Sequence, residues 1–210
     1  EIILSYTLIS GIGYVWIIRV FFTIAIISPF LYRITMSLQS FKSQAIAIFI
    51  LCIIQEIICF VSDQLGGIPG KLFSTYIAIS FGYCLMALVG MWSVTYTKKE
   101  NYFIGIGFLI IFVLVGWING FPNISIAKYP PSLYFIAYGM GISLLLLGLS
   151  SALKLSNLKF LFWLSRYSLE IYYWHIFMLF IVNNAIEKIQ FESSFLWILK
   201  YIVILLGSIL

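Results

Sequence analysis

Long apolar runs broken by short polar gaps dominate this chain. A helix crossing roughly 30 Å of hydrocarbon needs about 20 predominantly apolar residues. That length test picks out seven candidate spans, at about 14–32, 43–62, 71–93, 102–119, 132–152, 166–186 and 194–210. Residues 1–13, interrupted by Ser10, Gly11 and Gly13, are too broken to assign. The runs are continuously apolar rather than alternating, so they do not read as strands of an outer-membrane barrel. The pattern predicts an all-α, polytopic transmembrane bundle, and the gaps leave no room for a separate soluble domain.

Composition agrees. Of 210 residues, 63% are hydrophobic, 19% aromatic and 9% charged, with mean hydropathy +1.10. Soluble domains carry about 25% charged residues. A cytosolic enzyme, a nucleic-acid module and a disordered tail are excluded, so the net charge of +5 is a question of sidedness. The first, third and fifth gaps hold seven basic residues: Arg33, Lys42, Lys98, Lys99, Lys154, Lys159 and Arg166. The second, fourth and sixth hold three: Lys71, Lys128 and Lys188. Basic residues favour the cytoplasmic side, which predicts residue 1 outside and residue 210 inside. Trp16, Trp92, Tyr102, Trp117, Tyr129 and Trp197 fall near span ends, where amphipathic rings sit at the interface.

The gaps and glycines carry further expectations. Gly66, Gly67, Pro69 and Gly70 predict a tight turn, and Pro122, Pro130 and Pro131 a stiff fourth gap. Gly139, Gly141 and Gly148 predict close helix approach along the fifth span. Cys52, Cys59 and Cys84 lie in apolar runs without metal-ligand spacing, so neither a disulfide framework nor a metal site is expected. The chain starts at Glu1 and stops within an apolar run, which reads as a fragment.

Ionisable residues inside apolar spans cost a few kcal/mol each, so each is a functional lead. Arg19, Glu56, Glu170, His175 and Lys200 qualify. His175, the only histidine, lies nine residues past Arg166, about 13 Å along a helix. At about 100° per residue it shares a face with Ser168 and Tyr172, continued by Asn183, while Glu170 points elsewhere. That stripe either lines a polar cavity, with His175 binding or relaying a proton, or buries a histidine satisfied by neighbours between helices. Arg19 offers a bidentate fork to a carboxylate or phosphate, or snorkels to the outer surface. Glu56, beside Gln55, is expected to face the bundle, with Arg19 a candidate partner; snorkelling suffices for Glu170 and Lys200. Lys128-Tyr129-Pro130-Pro131-Ser132 is a rigid, aromatic, basic element able either to lie across a cavity mouth and stack on a sugar or to anchor at the interface.

Three segments resemble membrane acyltransferase family 3. Trp16-Ile17-Ile18-Arg19, followed by Ser28-Pro29-Phe30-Leu31, is similar to the family's Trp-Phe-Leu-Arg helix ending in a proline. Lys128-Tyr129-Pro130-Pro131-Ser132-Leu133-Tyr134, leading to Ala137-Tyr138-Gly139, resembles a segment seen in part of the family. Leu164 to Tyr172, with His175 three residues on, resembles the Ser-Leu-x-Ile-Tyr-x-x-His signature of its penultimate helix. The resemblance implies acyl transfer, usually of acetyl from cytoplasmic acyl-CoA, to a hydroxyl of a surface polysaccharide or lipid-linked glycan. No bound cofactor is implied. It places Trp16, Arg19, Lys128, Tyr129, Ser168, Tyr172 and His175 toward substrate, with Arg19 and His175 in support of catalysis. The family's essential basic-residue and histidine motif belongs to its first helix, and nothing before Trp16 supplies it. The expectation is therefore a single acyltransferase-like domain over 1–210, lacking its N-terminal helices, that positions the acceptor and is inactive alone. A glycan or lipid transporter and a non-catalytic membrane scaffold remain as alternatives, since charged residues in a bundle suit a transporter equally.

Overall fold

The computed structural model describes residues 16–152, 158–186 and 202–207. The chain divides into two compact units, residues 1–153 and 154–210, and each is described by itself. All regular elements among the described residues are helical. The first unit holds α1 (Trp16–Ser37), α2 (Phe41–Leu65), α3 (Gly67–Ser93), α4 (Lys98–Asn119) and α5 (Leu133–Ala152). All five are long and apolar enough to cross a membrane. The second unit holds α6 (Lys159–Arg166), α7 (Ser168–Ile186) and a helical stretch at 202–207. Five spans, not seven, therefore meet the test among described residues; the sixth candidate is α7, whose apolar part Ser168–Val182 is shorter. Most of the seventh, with Lys200, lies outside the described residues.

Local chemistry explains where the boundaries moved. Helix α1 does not end at its proline but runs through Pro29 to Ser37. Proline has no amide for the carbonyl four residues back. That carbonyl belongs to Ala25, and the Ser28 hydroxyl donates to it at 2.8 Å. Between α2 and α3, Gly66 and Gly67 take φ of +55° and +53°, so the chain reverses within two residues. Pro69 then falls in the first turn of α3, where no amide is needed. Thr97 and Glu100 close a capping box at the start of α4: the Thr97 amide donates to Glu100 Oε2 at 2.7 Å, and the Glu100 amide to Thr97 Oγ1 at 3.3 Å. Residues Ser74–Ala78 of α3 form a π-helical turn.

One core joins the five helices of the first unit. Leu31 from α1, Ile48 from α2, Leu88 and Trp92 from α3, Phe108 from α4 and Ile136 from α5 all contribute. The outer faces are as apolar as the core: Phe22, Phe30 and Phe49 are each 63% exposed. Such a surface is at home in lipid, which has no preference for polar side chains. Helices α4 and α5 make the most extensive contact. A Cβ on Gly141 would lie 2.7 Å from Leu109 Cδ2, and one on Gly148 would lie 2.9 Å from the Tyr102 ring. Gly105, on α4, faces Gly141 across the seam. Gly139 does not belong to it; nothing lies within 4 Å of where its Cβ would be, because it sits on the opposite side of α5. In the second unit, residues 202–207 pack on α7, where a Cβ on Gly207 would meet Met178 Cε at 2.4 Å.

Candidate functional site

The most structured polar region of the first unit lies between α2, α3 and the segment joining α4 to α5. This segment leaves α4 through Gly120, in the left-handed region at φ +71°, and turns at Asn123, whose Oδ1 accepts from the Ser125 amide at 2.9 Å. It then closes a tight turn in which Lys128 bridges to Pro131 and the Ser132 amide donates to the Ala127 carbonyl at 3.0 Å. Pro131 is fully buried.

Gln55 and Glu56 hold that turn. Gln55 Nε2 donates to the Pro131 carbonyl at 2.8 Å and the Ala78 carbonyl, on α3, at 3.2 Å. It also lies 3.3 Å from Cys59 Sγ. Two carbonyls facing one end of the amide require that end to be the NH2 group, which fixes its orientation. Its Oε1 then points away, buried and without a hydrogen-bond partner among the described residues. Glu56 Oε1 accepts from the Leu133 amide, the first of α5. An unpaired amide at a helix start favours an acceptor, and a negative one more so. Glu56 thus places a carboxylate oxygen at the start of α5. Gly82 leaves space for the turn, since a Cβ there would sit 2.4 Å from Pro131 Cγ. Gln55 precedes the end of α2 by ten residues, about 15 Å. Non-helical backbone this deep along a span is tolerated where protein buries it.

At the turn, Tyr129 is exposed and Lys128 half-buried beside it. Tyr129 is 43% exposed, and Lys128 Nζ sits 5.1 Å from the centre of its ring. Partial burial lowers the Lys128 pKa from the usual lysine value.

The other residues singled out by the sequence are spread over both units. Arg19 is half-buried one turn into α1, and its carbonyl accepts from the Thr23 hydroxyl at 2.9 Å. Trp16 begins α1, but its side chain lies outside those described. On α7, Tyr172 and His175 are half-buried and Ser168 is exposed; the Asn183 side chain lies outside those described. Glu170 is exposed and lines a shallow depression of about 390 Å³ with Tyr173, Trp174 and Phe177. The structure thus brings Lys128 and Tyr129 together, and keeps Arg19 and His175 in different units. A groove of about 380 Å³ opens between α1, α2 and α3, lined by Ile27, Phe30, Tyr76, Cys84 and Leu88 among others. Its lining is mostly apolar, with Tyr76 and Ser80 as the hydroxyl-bearing exceptions.

Sequence reasoning noticed Gln55 only as a neighbour of Glu56 and missed the part it plays. A usable signal exists: a Gln-Glu pair inside an apolar run, opposite a Pro-Pro loop that opens a helix whose first amide needs an acceptor.

A helical membrane bundle with a buried polar seat under one inter-helix loop is the class these observations define. The model of the acyltransferase domain of family 3 matches residues 3–210, so the chain belongs to that family of acyltransferases. No curated protein and no solved structure matches it.

Proposed function

We propose that the protein transfers an acyl group, acetyl in the simplest case, from acyl-CoA to a hydroxyl of an extracytoplasmic polysaccharide or glycolipid. These residues supply the acceptor-positioning part. The acceptor oxygen attacks the thioester carbonyl; the C–O ester bond forms as the C–S bond breaks, and CoA departs as the thiol with the hydroxyl proton. The observation that carries this reading, beyond family membership, is the seated turn with an exposed Tyr129 ring beside the Lys128 ammonium. An aromatic face with an adjacent donor suits a sugar, whose C–H face stacks while its hydroxyls accept hydrogen bonds. Trp16 and, in the second unit, Ser168 and Tyr172 are further candidate substrate contacts. Arg19 stabilises negative charge developing on the thioester oxygen; His175, carried by the second unit, is a separate candidate for a supporting role. The odd-numbered gaps face the cytoplasm, where acyl-CoA is found, and the Lys128 turn faces outward.

Comparing surface glycans from cells with and without the full-length gene tests the reaction. Loss of an alkali-labile ester is expected without it; identical glycans would refute the assignment and favour the transporter alternative. In the full-length protein, Arg19→Ala should lower kcat about 100-fold, the size of losing one charge-stabilising donor. A kcat within twofold of the parent would remove Arg19 from the chemistry.

A further inference from the structure

We propose that Gln55 and Glu56 are positioning residues for the acyl acceptor: from α2 they hold the Lys128–Leu133 turn in the place where Lys128 and Tyr129 meet the sugar. This rests on the reading above that the turn faces the acceptor.

The two side chains bracket the turn. Gln55 binds the Pro131 carbonyl and Glu56 the Leu133 amide, one on each side of Ser132. Pro130 and Pro131 have no amides to offer, and the Ser132 amide is consumed inside the turn by Ala127. Gln55 and Glu56 thus supply, from α2, hydrogen bonds to the turn's backbone on both sides of Ser132. Gln55 also ties the turn to α3 through Ala78, and the Pro131 ring lies against Gly82. Its amide donates to two elements at once, which a leucine or a glutamate there could not do.

The chemistry of the pair fits holding rather than reaction. Gln55 is fully buried, out of reach of a substrate at the mouth. Glu56 meets a backbone amide at a helix start. Tyr129 is only two residues from the bonded Pro131 carbonyl, so a shift at the seat carries the ring with it. Displacements of about 1 Å far from the reacting atoms cost enzymes up to 10²-fold.

A native reporter lies under the turn. Cys59 is buried next to Gln55 Nε2, with Sγ 3.9 Å from the Pro131 carbonyl. Cys52 and Cys84 belong to the central core and act as internal controls.

The experiment uses the full-length protein, acetyl-CoA as donor and de-esterified surface glycan from the same cells as acceptor. Glu56→Ala is expected to raise KM for the glycan about tenfold with kcat within about threefold, the signature of lost binding rather than lost chemistry. Alkylation of Cys59 by a membrane-impermeant maleimide, read by peptide mass spectrometry, should rise several-fold while Cys52 and Cys84 stay protected. Glu56→Gln, which keeps an acceptor oxygen, should recover most of both. Gln55→Glu should act like Glu56→Ala; if it also opens Cys52 and Cys84 it has lost the bundle, and Glu56→Ala decides.

Unchanged protection of Cys59 in Glu56→Ala overturns the proposal. So does a loosened turn with unmoved KM, or a Glu56→Gln variant as damaged as Glu56→Ala, which would make the charge the working feature. A wild-type protein that leaves the glycan unacylated overturns this inference together with the proposed function; an active one with unmoved KM overturns this inference alone.

Discussion

The α4–α5 seam and the seat of the Lys128 turn solve the same problem by opposite means. Along the seam, Gly105, Gly141 and Gly148 let two helices approach until backbone nearly meets backbone; a Cβ on Gly105 would lie 3.3 Å from the Gly141 carbonyl. Contact there is dispersion between well-fitted shapes, which lipid tails can partly imitate. At the seat, the surfaces that meet are carbonyls, an amide and a carboxamide. Unmade bonds of this kind have no substitute in hydrocarbon, so the seat is held by the penalty of breaking it. The seam can slide by small amounts, whereas the seat is either made or lost.

That contrast can be broken, largest effect first. Gln55→Glu sets an acidic group against the Ala78 and Pro131 carbonyls and should cost about 3–5 kcal/mol, seen as a large drop in thermal unfolding temperature in detergent. A shift of less than about 1 kcal/mol would mean that the seat is wet. Gly82→Ala should cost about 1–3 kcal/mol, because its new methyl meets the stiff Pro131 ring. It should also weaken glycan binding, which no seam variant should do. The new methyl of Gly141→Ala meets the side chain of Leu109 and lies 3.3 Å from the Gly105 carbonyl; because the side chain can move, it should cost about 1 kcal/mol by the same assay. Gly139→Ala is the smallest, neutral or up to about 1 kcal/mol stabilising, since its methyl meets open space and alanine favours helix. If the two seam-helix variants behaved alike, close approach at Gly141 would not be what holds α4 and α5.

Much of the helical layout was legible in the chain, because unbroken apolar stretches of span length have few other solutions in a bilayer. The α2 and α5 boundaries came close to 43–62 and 132–152 for that reason. Boundaries failed where one side chain changed the backbone balance. The first span, read as 14–32, runs on to Ser37, and passes Pro29 with the Ser28 hydroxyl covering the Ala25 carbonyl. The 71–93 span began four residues early because Pro69 is acceptable in a first turn. Glu56 was recognised as facing inward, but its partner was not, because Leu133 lies 77 positions away and is apolar in one-letter terms. Backbone groups leave no mark in an amino-acid string. Gln55 was passed over for the same reason, and Gly139 was included with its neighbours because identity alone does not say which side of α5 a residue occupies.

Finally, the wide turn at Ser74–Ala78, where the Ile79 amide reaches back five residues to Ser74, adds one residue to the winding of α3. That extra residue rotates everything before it by roughly 100° relative to a uniform helix. It is how Gly70 comes to press on Ser62 and Leu65 of α2 while Leu85 and Leu88 stay on the central core. The rod is in effect two phased pieces on one axis, one facing the end of α2 and the other the central core.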